Sequence, residues 1–146
     1  MEDESYNPVH WSFWAIGAIA LIWNIMGAIN FFMQMNPEIL AAYRDSERAI
    51  VEGRPLWATV AFAAGVFGGS VGSLLLLFRK WVAFYVLIAS LIGVLVTMVH
   101  TLSIGIDFGL GEILGIVLMP VVVAAFLVWY AKWTEWKRWV RSRHQG

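Results

Sequence analysis

The chain has 146 residues, 60% of them hydrophobic and 14% charged, with 10 cations balanced by 10 carboxylates and a mean hydropathy of +0.72. A domain this small cannot hide so much apolar surface from water, and soluble domains are about half apolar and about a quarter charged, which excludes a soluble enzyme and a disordered polypeptide. Zero net charge excludes nucleic acid as a natural partner, since phosphate binding needs a surplus of Lys and Arg, and the absence of cysteine excludes disulfides, thiolate metal centres and a cysteine nucleophile.

In chain order, four stretches carry no Asp, Glu, Lys or Arg: Trp11–Met33, Trp57–Phe78, Trp81–Leu102 and Ile113–Tyr130. Each is long enough to cross a hydrocarbon core of about 30 Å as a helix rising about 1.5 Å per residue. The first is too long for a signal-peptide core of about 7–15 residues and follows Glu2, Asp3 and Glu4 where a basic segment would be needed. None alternates apolar with polar residues, as β-barrel strands must. The expected fold is all-α, an integral membrane four-helix bundle forming a single domain over residues 1–146. Within the last helix, Pro120 should produce a kink by freeing a carbonyl one turn back.

Four crossings place both termini on one side. That side holds Arg79, Lys80, Lys132, Lys137, Arg138, Arg141 and Arg143, against Arg44, Arg48 and Arg54 on the other, so the N- and C-termini are expected in the cytoplasm. The Arg79–Lys80 connection is short enough to force a tight antiparallel pair. In the first outer loop, Asn36 as cap, Pro37 at the first position and Glu38 in the first turn precede Ile39, Leu40, Tyr43, Ala49 and Ile50, which predicts one short amphipathic helix broken by Gly53 and Pro55. Beyond Tyr130, the tail 131–146 reads as an interfacial anchor: Trp129, Trp133 and Trp136 recur at helical spacing, with Lys137, Arg138 and Arg141 as their cationic counterpart.

Small residues mark the second span. Ala61, Gly65, Gly69 and Ser73 form one row and Ala64, Gly68 and Gly72 another, a pattern that lets a second backbone approach closely, in the same bundle or in another subunit. Polar residues gather toward the outer end: Asn30, Gln34, Thr97, His100, Asp107 and Glu112 could surround one shallow cup, while Trp23 and Asn24 are the polar-capable pair near mid-membrane. The inner half holds no titratable group, which argues against proton coupling. His100 alone could ligate a haem or a chlorophyll, but a hydrogen-bonded structural histidine is the simpler expectation, and no cofactor or metal is expected. No nucleophile triad, metal-ligand motif or phosphate loop is present, so no catalytic residue is expected.

Leu21-Ile22-Trp23-Asn24-Ile25-Met26-Gly27, Asn30-Phe31-Phe32-Met33-Gln34, Trp57-Ala58-Thr59-Val60-Ala61-Phe62 and Val66-Phe67-Gly68-Gly69-Ser70-Val71-Gly72, ending in Arg79-Lys80, resemble a family of small four-helix bacterial membrane proteins loosely labelled "sugar transporter". The resemblance implies a bacterial inner-membrane location and puts Trp23, Asn24, Asn30 and Gln34 in the family pattern. Three functional expectations stand side by side. The first is a non-enzymatic protein acting by association in the lipid bilayer, as accessory subunit of a larger complex or as homo-oligomer. The second is a small oligomeric facilitator for a polar solute, and the third a single-histidine cofactor carrier.

Overall fold

The computed structural model describes residues 8–137 and 139, and among them there is no strand. Four long helices dominate: α1 (Trp11–Met33), α4 (Leu56–Leu77), α5 (Val82–Ser103) and a last helix built from α6 (Leu110–Glu112), a π-helical segment (Ile113–Leu118) and α7 (Met119–Trp136). All four are long and apolar enough to cross a membrane, which is the architecture of a multi-pass membrane protein. The break expected at Pro120 takes the form of the π-helical segment just before it, where wider turns accommodate a residue that has no N–H to donate.

The first inter-span connection departs from the single amphipathic helix expected there. It holds two helices, α2 (Pro37–Leu40) and α3 (Asp45–Glu52). The Asn36 side chain accepts from the Glu38 N–H and starts α2, but tight-turn bonds from Ala42 N to Ile39 O and from Tyr43 N to Leu40 O end it after one turn. Arg44 is extended, and Asp45 and Glu47 then supply the acidic first turn of α3.

We call the end with residue 8, the Arg79–Lys80 turn and Trp139 proximal, and the end with α2 and α3 distal. The helices pack in the order α1, α4, α5, α7. α4 lies between α1 and α5, and its small residues are used on both sides. A Cβ on Gly69 would collide with Asn24 Oδ1 of α1, one on Gly72 would lie 2.6 Å from Leu87, and one on Gly68 would lie 3.4 Å from the Ser90 Cα of α5. The tightest approach to a neighbouring backbone is from the other side: a Cβ on Gly93 would sit 2.6 Å from Ala61 O and 2.8 Å from Gly65 N. The row Ala61, Gly65, Gly68, Gly69, Gly72 and Ser73 is therefore occupied inside the chain, with Gly65, Gly69, Gly72 and Ser73 buried, and offers no glycine face to a second subunit.

At the proximal end, Phe13, Leu76, Leu127 and Tyr130 form a closed core. Trp133 joins it, with its ring 5.8 Å from Tyr130 and 5.2 Å from Trp139. Of the three tryptophans expected at the interface, Trp129 and Trp136 are exposed, while Trp133 turns inward because it shares the α7 face that buries Tyr130 and Thr134. Lys137 is exposed with its ammonium 5.6 Å from the Trp133 ring, and Arg138 and Arg141 lie outside the described residues. The α4–α5 turn is a Schellman motif: Lys80 N bonds Leu75 O, Arg79 N bonds Leu76 O, and Arg79 itself adopts a left-handed φ of 59°. Arg79 Nε donates to the Trp139 carbonyl, which ties the turn to the end of α7.

Candidate ligand cavity

Away from that closed core, α1 and α7 stand on either side of a cavity of about 480 Å³, within the size range of about 300–1,000 Å³ typical of small-molecule sites. α1 contributes Trp23, Gly27, Asn30 and Gln34, one face at helical spacing. α5 contributes residues from Leu87 to Thr101, and the last helix contributes Gly115, Ile116, Pro120 and Leu127. α3 and the residues after it form the roof, through Glu47, Ile50, Val51 and Arg54. Glu47 and Ile50 lie three apart on one face of α3, Arg54 follows just past the Gly53 cap, and Ile50 is buried. From Gln34 to Trp23 the lining descends eleven positions along α1, a depth of about 16 Å.

The polar groups divide by depth. Below the mouth, several donate within the bundle. Asn24 Nδ2 donates to Ala20 O at 2.9 Å and to Ser73 Oγ at 3.5 Å, and Ser90 Oγ donates to Gly65 O at 2.6 Å. Thr97 and Thr101 hydroxyls turn back to the carbonyls of Gly93 and Thr97. Beside the Trp23 indole and Asn24 Oδ1, the rest of the lining there is largely aliphatic: Val66, Leu87, Val94, Met98, Val123 and Leu127.

The mouth is different. Tyr43 Oη donates to Asn30 Oδ1 at 2.6 Å, and Arg54 Nη1 donates to Gln34 Oε1 at 3.0 Å. The Arg54 guanidinium carbon also lies 4.7 Å from the Phe62 ring centroid, and its Nε is buried without a partner. Burial lowers the Arg54 pKa from its ordinary value, which is high enough that the group stays cationic at neutral pH. Burial first, and the charge of Glu47 second, push the Tyr43 phenol upward and hold it as a neutral donor. Among the described residues the ion pairs are Arg48–Asp45 and Lys132–Glu135, so Arg54 has no carboxylate within ion-pair reach.

The six residues expected to share one cup separate into two groups. Asn30, Gln34 and Thr97 line the cavity, as do Trp23 and Asn24. His100, Asp107 and Glu112 do not. His100 is buried against Trp57, ring centroids 5.4 Å apart and nearly perpendicular, with Nδ1 unpartnered. Asp107 is exposed in the turn before α6. Glu112 is a structural clamp: Oε1 accepts from Ser46 Oγ at 2.6 Å, joining α3 to the last helix, and Oε2 accepts from Gly109 N at 3.0 Å. Tyr43, Glu47 and Arg54 were not anticipated at the site. For Glu47, the available signal was its helical spacing to the apolar Ile50; Arg54, past the end of α3, carried none.

No family model, curated protein or solved structure matches this chain. The cavity must therefore be read from its own chemistry. Among the described residues no three of His, Cys, Asp and Glu gather as metal ligands.

Proposed function

We propose that this chain is a non-catalytic, multi-pass protein of the bacterial inner membrane that binds a small amphipathic molecule in the cavity, with the proximal end in the cytoplasm. One observation carries the binding reading: the unpartnered Arg54 Nε lies at the mouth, while the Asn24 amide nitrogen and the Ser90 and Thr97 hydroxyls on the cavity wall donate to the bundle. A head group would be met by hydrogen-bonding partners and the remainder by aliphatic side chains. A facilitator for a polar solute would instead need unsatisfied donors and acceptors along the path, because a polar group moved past satisfied walls loses its water without compensation. Association as accessory subunit or homo-oligomer has less support, since the glycine rows that could serve it are filled by α1 and α5. A cofactor on His100 has less still, with Trp57 set edge-on against the imidazole.

The bacterial location rests on the family resemblance of Leu21–Gly27 and Val66–Gly72, and the orientation on the cations of the proximal end. Because the chain has no cysteine, single cysteines at positions 40 and 80 report sidedness directly; the expected result is labelling of 40 from outside intact cells and of 80 only after permeabilisation. Binding is tested by extracting the protein from native membranes and measuring the small molecules it retains by native mass spectrometry. Gly115 lines the cavity, and a Cβ there would meet nothing within 4 Å, so Gly115→Phe fills the space without forcing the backbone apart. A retained amphipathic molecule that is lost in Gly115→Phe is the expected result. Identical retention by both proteins would end the cavity reading.

A further inference from the structure

We propose that the molecule held in the cavity is a long-chain monocarboxylate, its head group bound by the Arg54 guanidinium and the amide nitrogens of Gln34 and Asn30. This rests on the cavity reading above and adds the charge and length of the ligand to it.

The charge follows from which atoms at the mouth are already used. Gln34 Oε1 accepts from Arg54 and Asn30 Oδ1 accepts from Tyr43, so the acceptor end of each amide is occupied by a protein donor. The two NH2 groups, together with Nε and Nη2 of Arg54, have no acceptor among the described residues. These three side chains thus present donors only, around one cation that is half-buried and without an ion pair. A planar guanidinium beside two amides matches the two oxygens of a carboxylate, and the match matters more where water is largely excluded. Glu47 lines the same mouth, more than 4.0 Å from any Arg54 nitrogen and close enough to Tyr43 to be felt by its phenol. Arg54 supplies a single positive charge for the head group, and Glu47 on the same mouth repels each further negative charge, so a monoanionic head is preferred over a phosphate monoester.

The length follows from the lining. A depth of about 16 Å along α1 equals roughly one leaflet of a hydrocarbon core of about 30 Å, the reach of an ordinary membrane acyl chain. Most of the wall at that depth, Leu87, Val123 and Leu127 included, offers methyl and methylene surface.

The test places the purified protein in phosphatidylcholine nanodiscs at mildly alkaline pH and measures binding of radiolabelled hexadecanoate, hexadecan-1-ol and hexadecyl phosphate. Hexadecanoate should bind about tenfold or more tightly than the alcohol, the margin of a charge-assisted contact, and more tightly than the phosphate. Arg54→Met should erase the preference over the alcohol, and Gln34→Glu, which puts a competing carboxylate beside the guanidinium, should erase it by a second route if Arg54→Met does not fold. Glu47→Gln should tighten hexadecanoate. Equal binding of acid and alcohol, with both still lost in Gly115→Phe, would overturn the carboxylate assignment and leave the cavity reading standing. Tightest binding of the phosphate, or loss of hexadecanoate in Glu47→Gln, would overturn the monoanion. Hexadecanoate binding that Gly115→Phe leaves untouched would remove the cavity reading itself.

Discussion

In the proximal half of the bundle Phe13 has 0% of its surface exposed, Leu127 2% and Tyr130 3%, while in the distal half the same helices stand around a space of about 480 Å³. The difference lies in what each helix offers at its inner face. Proximally, α1 and α7 present rings to one another, and Phe13, Tyr130, Trp133 and Trp139 fill the gap between the two outer helices of the row. Farther along, α1 presents Gly27 and the last helix presents Gly115 beside Pro120, and the cavity lies between them. Helices in lipid gain little from hiding apolar surface, so contact persists only where side chains interlock, and a place without interlocking stays open unless something occupies it.

That contrast is most sharply broken by truncating matched residues in the two halves. Phe13→Ala should cost about 3 kcal/mol or more, because the ring is fully enclosed and its neighbours belong to a different helix, whereas Val123→Ala, on the cavity wall, should cost well under half as much. Thermal unfolding in one detergent compares them; similar losses would mean that the distal half is packed as tightly as the proximal. Next in size, Gly93→Ala should cost about 2 kcal/mol, since its new methyl group would press on the backbone of α4 at Ala61 and Gly65. Gly115→Ala should leave stability unchanged or raise it by up to about 1 kcal/mol, the ordinary gain of alanine over glycine in a helix. Ser90→Ala should cost about 1 kcal/mol, less than Gly93→Ala, for losing the 2.6 Å bond to Gly65 O that pins α5 to α4.

The four long helices could be read from the chain because an uninterrupted apolar run needs only length to declare itself; Trp11–Met33 is both the run and the helix. Local signals also exposed the small residues of α4, although not Gly93, whose importance depends on which α4 backbone atoms lie opposite. The site was less legible. Asn30 and Gln34 stood out as polar residues in an apolar run, but Arg54 looked like a topology-setting charge beside Pro55, and only the fold brings it over Phe62 and against Gln34, twenty residues away. His100 and Glu112 were drawn into the same cup because depth along the helix axis was legible and rotation about it was not. His100 points to Trp57 and Glu112 to Ser46, both away from the cavity lining.

The smallest expected effect concerns the roof. α3 has only eight residues, too few to persist as an isolated helix, so its position depends on Ile50 beneath it, on the Arg54 contacts with Gln34 and Phe62, and on the bond from Ser46 Oγ to Glu112. Ser46→Ala removes only the last of these, and alanine's better helix propensity offsets part of the loss. Global unfolding should therefore hardly move, while amide hydrogen exchange across residues 45–54 should quicken by about threefold as the roof opens more often. Amides of Gly65–Ser73, in the seam between α1 and α5, should exchange as before. If the roof amides are equally unchanged, the buried Ile50 and Arg54 hold α3 without help, and the Glu112 clamp serves the start of the last helix alone.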